Sequence, residues 1–126
     1  GGRRYGFSTL WKWSQGGLKF LHLGGSVSPL SDENKILLGR PDILIIAVGG
    51  GDKVYNGQEA ASVVKALNPK FVIPVQYVKG AVPTNCNQTG VEPFLEAMNA
   101  IEVRKIGGIF KIPMKTPDKM IITLFK

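Results

Sequence analysis

The sequence predicts an α/β fold built on a mixed sheet, and three stretches predict it. An alternating aromatic run that ends in a glycine turn, over residues 5–23, reads as an antiparallel hairpin. "ILIIAV", residues 43–48, is a continuous β-branched run suited to a strand buried on both faces. A helical apolar stripe followed by "FVIPV", residues 71–75, completes a βαβ unit, whose parallel crossover added to the hairpin makes the sheet mixed. At 126 residues the chain fits one domain, residues 1–126, and is long enough to bury a core. Its 44% apolar and 20% charged content is a globular balance without the polar bias of disorder.

In chain order, Tyr5, Phe7, Thr9, Trp11 and Trp13 fall on one face of a period-two strand, and Gln15-Gly16-Gly17 turns it into a second strand, Leu18 to Leu23. Aromatic side chains at this spacing belong to a core or an interface before they suggest ligand stacking. After Pro29, Ser31-Asp32-Glu33 supplies a cap and first-turn acids for a short helix through Ile36, Leu37 and Leu38, stopped by Gly39. The strand at 43–48 follows Pro41 and runs into "GGGD", residues 49–52. The next helix opens on a capping box, Asn56 with Glu59 three residues on, and its stripe is Ala60, Val63, Val64 and Leu67. Asn68-Pro69 ends it before the strand at 71–75. A polar loop over 79–90 leads to a last helix with Pro93 in its first turn and Phe94, Leu95 and Met98 on one face. Short strands are expected around 101–106, 109–114 and 120–125, so that residues 103–126 form basic C-terminal strands.

Several function classes can be set aside at this level. Cys86 stands alone, which excludes a disulfide framework and any metal-type cysteine spacing, and its ordinary reading is a loop or core thiol. No apolar run approaches the roughly 18–20 residues of a membrane-spanning helix, so a soluble chain is expected. Gly1-Gly2-Arg3-Arg4 precedes no signal-type apolar core and lacks an initiator methionine, which reads as a processed or partial chain. Gly49-Gly50-Gly51 lies where phosphate-binding loops lie, but no G-x-x-x-x-G-K-[ST] is present, and Val54 holds the place of the third glycine of G-x-G-x-x-G. These glycines read instead as a turn needing unusual φ values or a close backbone approach. No G-x-S-x-G nucleophile elbow occurs either.

The net charge is +7 and unevenly spread, with six basic residues and one acidic from Val103 to Lys126. Lys111, Lys115 and Lys119 form the candidate basic patch, interleaved with Ile109, Phe110, Ile112 and Met114. Such a patch attracts nucleic-acid phosphates, anionic surfaces or acidic proteins, and its plain alternative is a solvated strand face.

"GGLKFLHLGG", "LLGRPDILIIAVGGG" and "EAASVVKALNPKFVIPVQY", in this order and spacing, resemble the C-terminal half of the metallo-β-lactamase fold. The branch resembled is the UlaG-like one of small metal-dependent hydrolases, nearest to cyanobacterial and plastid-type members, over residues 5–106. The resemblance implies half of an αββα sandwich, a mixed sheet with helices on one face and the other face packed on an equivalent sheet. It also implies a dinuclear zinc or manganese site on loops at one edge, where a bridging hydroxide attacks a phosphoester, lactone or amide carbonyl. Plastid or cytoplasm is the location it suggests.

Ligand by ligand, the family's pattern is not met. Its H-x-H-x-D-H motif has no counterpart, because His22 is the only histidine. The bridging aspartate after "HLG" falls on Gly25, and the last histidine, in "IPxHY", falls on Gln76, a neutral and weak ligand. His22 then reads as a packing histidine. Asp42 and Asp52 flank the 43–48 strand at opposite ends and cannot share a metal. The vestigial pocket is expected at Gly24, Gly25, Gly49, Gly50, Gly51, Asp52, Gln76 and Tyr77, with no catalytic residue, no metal and no cofactor.

The expectation is a degenerate metallo-β-lactamase-fold module, a structural or interaction subunit that meets a protein partner or its own copy through the uncovered sheet face. One alternative is the C-terminal half of a metal-dependent hydrolase whose H-x-H-x-D-H half is elsewhere. Another is a weak anionic-surface or nucleic-acid binder using the basic C-terminus.

Overall fold

The computed structural model describes residues 3–4, 9–24, 33, 36, 38–50, 55–75, 90–99, 101–111 and 115–125. Among the described residues the elements with bounds are β1 (Arg3–Arg4), β2 (Thr9–Gln15), β3 (Leu18–Gly24), β4 (Ile43–Ala47), α1 (Gly57–Leu67), β5 (Phe71–Val75), α2 (Glu92–Ala97), β6 (Glu102–Ile106) and β7 (Ile121–Phe125). They form one sheet in the order β1-β2-β3-β4-β5-β7-β6. β1, β2 and β3 are antiparallel, and every later pairing is parallel, so the sheet is mixed.

The β2–β3 hairpin turns on Gly16 and Gly17, with φ of 59° and 78°. Two successive residues with positive φ match the right-handed twist of the strands they join, and glycine takes this backbone without a Cβ penalty. The register sets Trp11 opposite His22 and Trp13 opposite Phe20. The Trp13 and Phe20 rings stack with centroids 5.1 Å apart.

Between β3 and β4, Glu33, Ile36 and Leu38 are helical, and Gly39 follows at φ +66° as the expected stop. Leu38 is buried while Ile36 is exposed. α1 starts on the expected capping box: Asn56 Oδ1 accepts from Glu59 N at 2.8 Å, and Glu59 Oε1 accepts from Asn56 N at 3.0 Å. It ends at Asn68, whose φ of 51° is left-handed, the conformation that terminates many helices. Pro74 lies inside β5 opposite Ile46. β7 pairs only with Phe71 and Val72, so at Pro74 no ladder partner requires the missing N–H on that side.

Alternation along the strands divides the core in two. On one face Leu21, Leu23, Leu44, Ile46, Val72, Ile122 and Leu124 pack against Ala60, Val64 and Leu67 of α1, Phe94 of α2 and Met98 at its end. Each such fully buried large side chain contributes about 1.5–3 kcal/mol, more than the roughly 1 kcal/mol of a cap. Packing therefore positions the helices, and the caps fix only where they begin and end. The opposite face carries Phe20, Ile43, Phe71, Ile73 and Ile121, and among the described residues no helical one joins that cluster. Helices on one face of a mixed sheet is the expected arrangement.

Two expectations need correction. No strand forms at residues 109–111, and 112–114 lie outside the described residues. Phe110 instead packs edge-on against Phe71, ring centroids 5.6 Å apart, so the return from β6 to β7 passes over the helix-free face. A parallel pair requires such a crossover, and Phe110 serves it rather than a strand. The helix-free face is also less bare than expected. Ile43 is 0% exposed and Ile73 4%, because the rings of Phe20, Phe71, Trp13 and Phe110 belong to the same cluster. β1, absent from the sequence expectation, extends the hairpin at the opposite edge.

Candidate functional site

The parallel strands β3, β4 and β5 run in register, Leu23 beside Ile46 and Ala47 beside Val75. Their carboxyl ends therefore finish together, the position where sheets of this kind bind ligands. Gly24 closes β3, while Gly49 and Gly50 follow β4 and are buried. Val48 N donates to Val75 O at 3.1 Å, and Gly50 N donates to Tyr55 O at 2.8 Å, closing the loop that leads to the Asn56 cap. Gly50 has φ +74°, while a Cβ there would meet only Asn56 atoms at 3.7 Å, an ordinary contact. Backbone conformation, not crowding, accounts for glycine at this position. Three of the eight pocket positions thus come to one edge, and Gly25, Gly51, Asp52, Gln76 and Tyr77 lie outside the described residues.

The described part of this edge offers backbone groups and the buried Tyr55, with no acid–base side chain at the strand ends. Among the described residues no three of His, Cys, Asp and Glu come together. Their donor set does not fit a dinuclear zinc or manganese site, which needs imidazole and carboxylate ligands around each ion.

His22 lies mid-strand in β3, flanked by Trp11 and Ile45 on the helix-free face. Burial of the ring lowers its pKa below the usual 6.5, because desolvation penalises the imidazolium. The ring is therefore neutral at physiological pH. Along the same face Trp13, Leu18, Ile45, Val75 and Phe125 are half-buried, and Trp11 is 39% exposed.

Asp42 has a structural task that its position in the sequence did not reveal. Its carboxylate accepts from Lys19 N at 2.7 Å, and its carbonyl accepts from Lys70 N and Phe71 N at 3.0 and 2.9 Å. It pins the starts of β4 and β5 to β3, at the end of the sheet away from the glycine edge. Gly57 was also missed. A Cβ there would lie 2.4 Å from Phe94 N and 2.6 Å from Pro93 C, so α1 and α2 touch backbone to backbone. Beside this contact an open cleft of about 390 Å³ is bounded by Asn56, Gln58 and Glu96.

Lys111, Lys115 and Lys119 are all exposed. They lie on the return between β6 and β7 rather than on strands, and none has an acidic partner among the described residues. No helix among the described residues is long and apolar enough to cross a membrane.

Residues 1–76 match the beta-lactamase superfamily domain family. Among solved structures, the chain is similar to a Thermotoga maritima protein described as a Zn-dependent hydrolase of the metallo-beta-lactamase superfamily. The TM-score is 0.78 and the identity 24%, over 93% of this chain and 58% of that one. The chain thus spans less than two thirds of that protein's length, and the likeness concerns the fold. No curated protein matches it. With its mixed sheet, one-sided helices and matched first 76 residues, the chain belongs to the beta-lactamase superfamily and has the metallo-β-lactamase fold.

Proposed function

We propose that residues 1–126 act as one half-sandwich module of the UlaG-like, plastid-type branch, used as a structural or interaction subunit and not as a metal-dependent catalyst. The observation that carries this reading is the helix-free sheet face, where Trp11 is 39% exposed and Trp13, Ile45, Val75 and Phe125 are only half-buried. A row of large apolar side chains with an open flank suits a further protein layer, because packed sheets interdigitate such residues about 10 Å apart. The positions matched to family ligands support the same reading, since Gly25 has no side chain and Gln76 no imidazole. The glycine edge is then a vestigial pocket.

Elemental analysis after exhaustive dialysis tests the metal side of this proposal. We expect far less than one zinc or manganese per chain, and near-stoichiometric metal overturns it. A second reading, the C-terminal half of a metal-dependent hydrolase, is favoured by one observation: the chain covers 58% of the Thermotoga maritima protein. Sequencing the full transcript separates the two, because an upstream H-x-H-x-D-H restores the enzyme reading.

A further inference from the structure

Asn56-Gly57 is the only Asn-Gly pair in the chain, and it stands where α1 begins. In this dipeptide a side-chain amide and the next backbone nitrogen can close a five-membered ring, and glycine leaves that nitrogen unshielded because it has no Cβ. Asn56 is exposed and borders the open cleft of about 390 Å³ beside α2, so water reaches its amide.

The folded corner holds this pair short of reaction. Ring closure needs Cβ of Asn56 and the nitrogen of Gly57 nearly eclipsed about the Cα–C bond, and the ψ of 174° staggers them. Asn56 Oδ1 accepts from Glu59 N at 2.8 Å, and Asn56 N donates to Glu59 Oε1 at 3.0 Å. Gly50 N donates to Tyr55 O at 2.8 Å and fixes the chain just before the pair. After it, Gly57 is buried, with the place of a Cβ only 2.4 Å from Phe94 N. Asn56 therefore turns into a reactive geometry only when the capping box opens, and element ends are where local opening costs least.

We propose that Asn56-Gly57 is a self-modification site gated by the capping box, and that one of its two products unseats α1 from α2. In the open state the Gly57 nitrogen gives up its proton and attacks Asn56 Cγ. The N–Cγ bond forms, the Cγ–Nδ2 bond breaks, and Nδ2 leaves as ammonia, so a cyclic imide remains. Water then adds to either imide carbonyl. Breaking the new N–Cγ bond gives aspartate, which still accepts from Glu59 N and places a negative charge where the helix dipole favours it. Breaking the original bond between the Asn56 carbonyl carbon and Gly57 N gives isoaspartate, in which the main chain runs through Cβ and Cγ and is longer by one methylene. No electrons are transferred, and water is the only co-reactant. The added methylene displaces Gly57 where α1 and α2 touch backbone to backbone, and the backbone of Pro93 and Phe94 cannot rotate out of its way. The site uses neither the glycine edge nor the helix-free face.

The test incubates the whole chain beside an end-blocked peptide of residues 53–60 at mildly alkaline pH, with aspartate and isoaspartate at residue 56 followed by mass spectrometry of proteolytic fragments. We expect the peptide to be modified faster than the chain. Glu59→Ala, an exposed change checked for fold by circular dichroism, should speed modification of the chain about threefold to tenfold and leave that of the peptide unchanged. Glu59→Gln keeps the reciprocal hydrogen bond and should restore the slow rate. Chain carrying isoaspartate, separated by chromatography, should lose hydrogen-exchange protection in α2, whereas Asn56→Asp should keep it. Equal rates in chain and peptide, or a Glu59→Ala chain no faster than wild type, overturn the gate. Protection of α2 that survives isoaspartate overturns the unseating.

Discussion

Desolvation on the helix-free face moves the pKa of His22 downward. A base with a lower pKa in the native state than in the unfolded chain binds fewer protons when folded. Its full stability is therefore present above 6.5, the unfolded value, and is lost as pH falls from there toward the lowered native value. We expect the urea midpoint of the wild-type chain to drop across this window relative to that of His22→Gln; parallel midpoints would show that the ring is not desolvated. Gly57 sets two effects against each other. Alanine gains at most about 1 kcal/mol of helix propensity over glycine. Its methyl group, however, enters backbone atoms of Pro93 and Phe94 that cannot rotate away, and such overpacking costs about 1–3 kcal/mol. The steric term wins, so Gly57→Ala should lower the denaturation midpoint. Nothing in the sequence marked this residue, because backbone contact between helices about 36 residues apart leaves no local pattern; the principle that glycine marks close approach applies only once the fold is known.

At the scale of elements, local chemistry was legible where it was self-contained. The capping box at Asn56 and Glu59 forms with both reciprocal hydrogen bonds, and Gly16-Gly17 makes the expected hairpin turn. Removing the Asn56 side chain leaves Glu59 N unpaired at the start of α1. Asn56→Ala should therefore cost about 1 kcal/mol, while Asn56→Asp should cost little, as read by chemical denaturation. At residues 109–111 of the return from β6 to β7 the expected strand does not form, because a short apolar run such as Ile109-Phe110 does not say what its side chains will pack against. Phe110 covers Phe71 from outside the sheet, and that contact depends on β5 and β7 being neighbours. Within the pocket, the convergence of Gly24, Gly49 and Gly50 follows from the parallel register of β3 and β4. The matching of Gly25 and Gln76 to ligand positions came from resemblance, and these two lie outside the described residues.

For the whole molecule, the decisive quantity is the balance between apolar attraction and charge repulsion on the helix-free face. A net charge of +7 on 126 residues opposes association of like chains, and that repulsion is screened over about 10 Å at 0.1 M salt. Contact through Trp11, Trp13, Ile45, Val75 and Phe125 does not depend on opposite charges. If this face is an interface, sedimentation of the isolated chain at micromolar concentration should show association that strengthens with salt. Trp11 is the side chain through which to test it, since it is 39% exposed and its loss leaves the buried Phe20 and Ile43 in place. Trp11→Glu should shift the chain toward monomer with little change in unfolding midpoint, because a partly exposed residue supports an interface more than it supports the core. A wild-type chain that stays monomeric at all salt concentrations, with cooperative unfolding and no binding of an apolar dye, would show that the cluster around Phe20, Phe71 and Phe110 closes this face unaided. The interaction reading would then fall.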